Sequence, residues 1–321
     1  MDSKAVARPL GTWSIAVILA ILPAVQSQGN VGKAAEEEAT PARASAPYAL
    51  RFVKGQSYDI RLGTRQEKVE KEAESESGQR QPAFDSQPYL VNTTFYYRFN
   101  VRSVDEAGNA WADCTVKRVK IQQKLGFVPD VDYDSAKAGK RGIPKVRGID
   151  DVAYAYARCM SAFLDAQFAL RVTPYGHVQD VKGAESVLKH VWKKLGAQPP
   201  EKPDEAQTAG VKQEIRTFLW AHPFADCSQS PLGLADSWTG TEKTSDGVEW
   251  QTRGTVKERK ADVATIEIVG QATKKDPAGP GRWHRSVEIN EATGEVLSSV
   301  TRWEQPGMAA VGSFEMTKAK D

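Results

Sequence analysis

Apolar and polar residues alternate with a two-residue period along much of this chain, which is the signature of half-buried β-strands. Leu50 and Phe52, then Tyr58, Ile60 and Leu62, predict strands over 48–52 and 58–62 joined by a turn at Lys54-Gly55-Gln56. The strongest segment places Phe95, Tyr97, Phe99 and Val101 on one face and Arg98, Asn100 and Arg102 on the other, as in a sheet covered on one side. Asp105-Glu106-Ala107-Gly108-Asn109 supplies turn chemistry before a strand over 111–121. In that strand Cys114 and Val116 share one phase while Val119 and Ile121 fall on the other, so a bulge or sharp bend is predicted near Lys117. Such short connections predict an antiparallel meander and argue against a doubly wound nucleotide-binding fold.

The period then changes. Val152, Tyr156, Met160, Phe163 and Leu164 recur at helical spacing behind Asp150 or Asp151 as a cap. A hairpin follows, with strands over 168–172 and 177–181 around Pro174-Tyr175-Gly176, where Gly176 can adopt positive φ. The clearest helix spans 184–195, with Ala184, Val187, Leu188, Val191 and Leu195 in one stripe and Lys193 and Lys194 in its last turn before Gly196. A shorter helix carries Val211, Ile215, Phe218 and Leu219 and ends by Pro223. Strands return around Trp250, over 255–269 and over 283–289, and a hairpin turns at Gly294 into 295–303. Residues 311–316 are expected to add a closing edge strand. The fold class predicted is α+β, mainly β: a strongly bent antiparallel sheet or half-barrel with two or three packed helices. The segments 48–121 and 255–303 are expected in one sheet, with helix 184–195 against its concave face.

The N-terminal region departs from both periodicities. Lys4 and Arg8 precede the apolar run from Ile15 to Val25, and small or polar residues lead to Ser27. This arrangement predicts a signal peptide over 1–27 cleaved after Ser27, the run being too short for a permanent span of about 20 apolar residues. Residues 28–46 read as a disordered tether, 47–317 as a single β-rich exported domain, and 318–321 as a C-terminal tail. Segments 70–84, 131–148 and 197–210 read as loops or connections. Loss of Asp2, Lys4 and Arg8 with the leader leaves the mature chain close to neutral, with no electrostatic bias toward nucleic acid or a membrane face.

Candidate chemistry is sparse. Cys114, Cys159 and Cys227 allow one disulfide of unspecified pairing or isolated thiols, and none belongs to a Cys-x-x-Cys unit. His177, His190, His222 and His284 lack metal-ligand spacing, and no Gly-x-Ser-x-Gly occurs. No catalytic, cofactor or metal residue is therefore assigned, and no cofactor is expected. Asp236, Glu242, Glu258 and Asp262 are the carboxylates on which an extracytoplasmic hydrolase would have to rely.

Four short features resemble a family of uncharacterised secreted or lipid-anchored bacterial proteins found among planctomycetes. They are Arg51-Phe52-Val53-Lys54-Gly55-Gln56, Phe168-Ala169-Leu170 leading to Gly176-His177-Val178, Gly233-Leu234-Ala235-Asp236-Ser237-Trp238, and Thr293-Gly294-Glu295-Val296. The resemblance implies an antiparallel sheet and export, and brings no catalytic residue. Asp236-Ser237-Trp238 reads as a turn followed by an anchoring Trp. In outline, the strand-turn-strand units at Gly108, Gly176 and Gly294 with intervening helices are similar to the half-barrels of bacterial lipoprotein carriers. The function expected is a non-enzymatic cell-envelope binding or scaffold protein, whose partner is an apolar ligand such as a lipid, or an envelope protein. A structural envelope protein acting through an edge strand or the tether is the alternative.

Overall fold

The computed structural model describes residues 49–68, 89–125, 130–138, 149–199, 203–218, 237–243, 249–273, 282–305 and 308–319. The predicted leader, the tether, Cys227, His222, Pro223 and Asp236 lie outside these residues. Strands β1 (Ser57–Lys68), β2 (Leu90–Val104) and β3 (Ala110–Lys124) form the meander that alternation predicts. They are followed by β4 (Val131–Asp134), α1 (Ser135–Ala138), α2 (Ile149–Ser161), β5 (Gln167–Val172), β6 (Val178–Lys182), α3 (Ala184–Lys194) and α4 (Glu205–Phe218). The last part contains β7 (Ser237–Lys243), β8 (Glu249–Lys260), β9 (Val263–Ala272), β10 (Arg282–Asn290), β11 (Val296–Gln305) and β12 (Met308–Lys318).

All twelve strands belong to one antiparallel sheet in the order β6-β5-β3-β2-β1-β12-β11-β10-β9-β8-β7, with β4 also paired to β3. The expected union of the early and late strands is therefore observed, and β1 against β12 is its seam. Tyr58 faces Lys318 at one end of that ladder and Lys68 faces Met308 at the other. Here residues 311–316 differ from expectation. They form an interior strand, paired on both sides, because β1 also needs a partner for its second edge.

Bulges keep long strands in phase with the core. Tyr96 pairs with Arg118 and Tyr97 with Val116, so Lys117 is the extra residue on β3, where the phase change predicts it. Val116 and Val119 are consequently both buried. Lys257 on β8 and Leu297 on β11 are further extra residues, and Leu297 is exposed beside the buried Val296.

Three further readings change. Residues 48–52 were expected to pair as a strand, but the described part is irregular: Leu50 donates its backbone N–H to the Pro174 carbonyl at 2.7 Å, outside any ladder. Residues 131–138, expected as connection, form β4 and α1. Helix α4 starts at Glu205 inside the expected connection 197–210, since Asp204 caps it by accepting the Gln207 N–H at 2.6 Å. The hairpin at Gly176 and helix 184–195 form as expected, with Gly176 at φ 86° and Leu195 as the C-cap.

The sheet is strongly bent. In a flat sheet the β5 and β11 ends, five strand steps apart in the order above, would be separated by about 24 Å. Yet the few residues 49–51 touch the turns that follow β5 and precede β11. Leu50 bonds to Pro174, and Arg51 Nη1 donates to the Ala292 carbonyl at 3.0 Å. A Cβ on Gly294 would stand only 2.5 Å from the Arg51 backbone nitrogen. Gly294, at φ 71°, thus serves both the reversal and this close approach.

Candidate ligand-binding face

Inward side chains fall into rows that cross the sheet. One row runs Ala264, Ile289, Val296, Met316, Ile60, Tyr97 and Val116, and all are buried. This continuous apolar surface belongs to a single core cluster. The end where β1 begins is filled: Phe52 packs on Phe99 with ring centroids 5.7 Å apart, and Tyr58 Oη donates to the Arg51 carbonyl at 2.9 Å.

The helices pack on β3, β4, β5 and β6, at one end of the strand order. Helix α2 lies over β2 and β3, with Tyr156 Oη and Thr93 Oγ1 sharing a hydrogen bond of 2.8 Å and Phe163, in the turn after the helix, edge-on to Phe95. Helix α3 buries Ala184, Val187 and Leu188 and packs on β5 and α4, so the predicted stripe does face the core. Its place is one flank of the concave surface rather than the centre of it.

Toward the opposite flank the face is built from indoles seated on glycines. Trp238 on β7 faces Gly254 on β8, and Trp283 on β10 faces Gly270 on β9. A Cβ at either glycine would overlap the facing indole. Trp250 lies 6.4 Å from Trp283 between ring centroids, and the half-buried Trp303 pairs directly with Trp283. The Trp238 of the sequence motif is thus an anchor, but on a strand: Ser237 begins β7. These partners are remote along the chain, and no local spacing announces them. Arg285 enters the same face, donating Nε–H to Thr301 Oγ1 at 2.8 Å with its guanidinium 4.9 Å from the Trp283 ring.

A phenol and two thiols are held neutral by burial. Burial pushes the Tyr97 phenol and Cys114 thiol well up and raises the Cys159 thiol to about 11. Both described cysteines are free thiols. His190 Nε2 hydrogen-bonds the Leu164 carbonyl at 2.8 Å, His177 sits at the β5–β6 turn and His284 on β10. Among the described residues no three His, Cys, Asp or Glu side chains cluster as metal ligands. Glu258 is exposed and paired with Lys260 at 2.7 Å, and Asp262 is exposed in the β8–β9 turn. The Glu242 side chain lies, with Asp236, outside what is described. No described helix is long and apolar enough to cross a membrane.

No family model matches the chain, and no curated protein matches it. Among solved structures it is similar to lipovitellin, studied for its lipid-protein interactions, at 10% identity and TM-score 0.45 over 84% of this chain. The chain spans only 25% of that protein's length. A DUF1329 family protein from Desulfovibrio piger aligns at 8% identity and TM-score 0.19, over 82% of this chain and 86% of that one. DynF from the dynemicin biosynthesis pathway of Micromonospora chersina aligns at 7% and TM-score 0.15, over 83% and 81%.

Proposed function

We propose that this chain is an exported, non-enzymatic binding protein of the cell envelope whose concave face receives an apolar ligand such as a lipid. The observation that carries the reading is the aromatic wall of Trp238, Trp250, Trp283 and Trp303 on β7, β8, β10 and β11, strands away from the packed helices. Trp238 and Trp283, fixed on glycines, have little rotamer freedom to lose; with Trp250 they are only 4–6% exposed and form the apolar lining of the face, and the half-buried Trp303 is the indole open to an acyl chain or comparable ligand. Export rests on the leader-like residues 1–27.

Protein recovered from an exporting host is extracted with organic solvent and weighed by mass spectrometry, and titrated with a fluorescent fatty acid. Retained lipid, or saturable uptake that changes tryptophan fluorescence, is expected. Absence of both would sink the reading.

A second reading has its own observation. β7 is the terminal strand of the described sheet, so strand addition there would give a structural envelope protein a route to its partners. Cross-linking in intact cells should then yield a repeatable adduct through residues 237–243, and its absence would count against this alternative.

A further inference from the structure

The convex face is mostly tiled by cross-strand ion pairs. Arg98 holds Asp59 at 3.0 Å, Arg171 holds Asp105 at 3.0 Å, and Lys257 holds Glu267 at 3.1 Å. A cleft of about 530 Å³ over β1 to β4 breaks that pattern. Its floor is made by two cross-strand rows, Thr94-Lys120-Asp134 and Asn92-Gln122-Asp132, and α1 adds Lys137 from its last turn. The rows come together here because β4 covers only the far half of β3, which leaves a step beside the long side chains.

The guanidinium groups of this region are already committed. Arg118 grips Asp134 with two hydrogen bonds of 2.8 and 2.5 Å, and Arg61 bonds Glu315 at 2.8 Å. Lys120 lies 5.6 Å from the Tyr96 ring, beside Arg118 at 5.2 Å, and acts on Asp134 through space. Neither Lys120 nor Lys137 has an ion-pair contact among the described residues, and the amides of Asn92 and Gln122 have no hydrogen-bond partner there. With each Arg balanced by its acid, the two lysines against Asp132 leave one net positive charge.

We propose that this cleft binds a phosphate group, with Lys120 and Lys137 supplying charge and the Asn92 and Gln122 amides supplying oriented donors. A carboxylate is best met by a free guanidinium fork, which this site does not offer. Two ammonium point charges lining one cleft, with additional N–H donors, instead match the three outer oxygens of a phosphate. The volume suits a small organic phosphate or a lipid headgroup. The inference is independent of the apolar face, which lies on the other side of the sheet.

Calorimetric titration with glycerol 3-phosphate at low salt tests the soluble source. Co-sedimentation with phosphatidylcholine vesicles, with and without phosphatidylglycerol, tests the headgroup. Saturable binding in either arm is expected, weakened at least about tenfold by K120Q/K137Q and strengthened severalfold by D132N, with thermal unfolding little changed in both variants. Binding of glycerol 3-phosphate assigns a soluble ligand. Binding confined to phosphatidylglycerol vesicles, and lost in K120Q/K137Q, assigns a headgroup. No binding in either arm, or binding that survives K120Q/K137Q, overturns the proposal. Fatty-acid uptake is read separately, so failure at one face leaves the other unaffected.

Discussion

Single side chains show how closely this sheet is fitted. Gly254 and Gly270 occupy alternating inward positions where a strand usually prefers a larger residue, and each is small because an indole lies across it. Gly270→Ala should therefore cost about 1–3 kcal/mol in chemical denaturation, since the added methyl must displace Trp283 from a packed surface. The same change combined with Trp283→Leu should cost less than the sum of the two single changes, because both act on one contact. The Arg118–Asp134 pair makes a different prediction. Hydrogen bonding to Arg118 holds the Asp134 carboxyl down at about 2, below the ordinary value near ~3.9. Its stabilising contribution is thus fully present above about pH 4 and is lost as pH falls through about 2. Amide protection factors in β4, measured against the intrinsic exchange rate at each pH, should fall over that window in the native protein. In Asp134→Asn they should already be low at neutral pH and show no such step.

Among the elements, the irregular segment 49–55 and helix α2 contribute in ways their own sequences do not announce. Leu50 and Phe52 alternate like a strand, yet their burial comes from covering the sheet where β1 begins, where Phe52 meets Tyr58 and Phe99. Phe52→Ala should destabilise the protein by about 3–5 kcal/mol, comparable to a core phenylalanine inside a regular strand. An effect under about 1 kcal/mol in denaturant unfolding would show that the segment is dispensable. Helix α2 is fastened in part by a polar contact in an apolar setting. Tyr156→Phe leaves the buried Thr93 hydroxyl without that partner and should cost about 1–3 kcal/mol, with α2 losing amide protection before β2 does.

At the scale of the whole molecule, one sheet carries both the apolar face and the phosphate cleft, and its core joins strands from both ends of the chain. Cys114 and Cys159 report on that unit, since both thiols are buried and poorly ionised at neutral pH. Neither should react with iodoacetamide in the native protein, and both should become reactive together across the unfolding transition. Early modification of one alone would reveal a part that opens independently. Alternation in segments such as 95–101 and 264–268, the turn residues at 105–109, and even the phase change at Lys117 were legible because they depend on neighbours a few positions apart. So was the helix stripe of Val187, Leu188 and Val191. The pairing of β1 with β12 and of β3 with β5, the interior place of β12, the indoles on Gly254 and Gly270, and the step beside β4 were decided only by the tertiary structure. Each of these joins residues far apart in sequence, and local periodicity selects which face is apolar without selecting the partner that covers it.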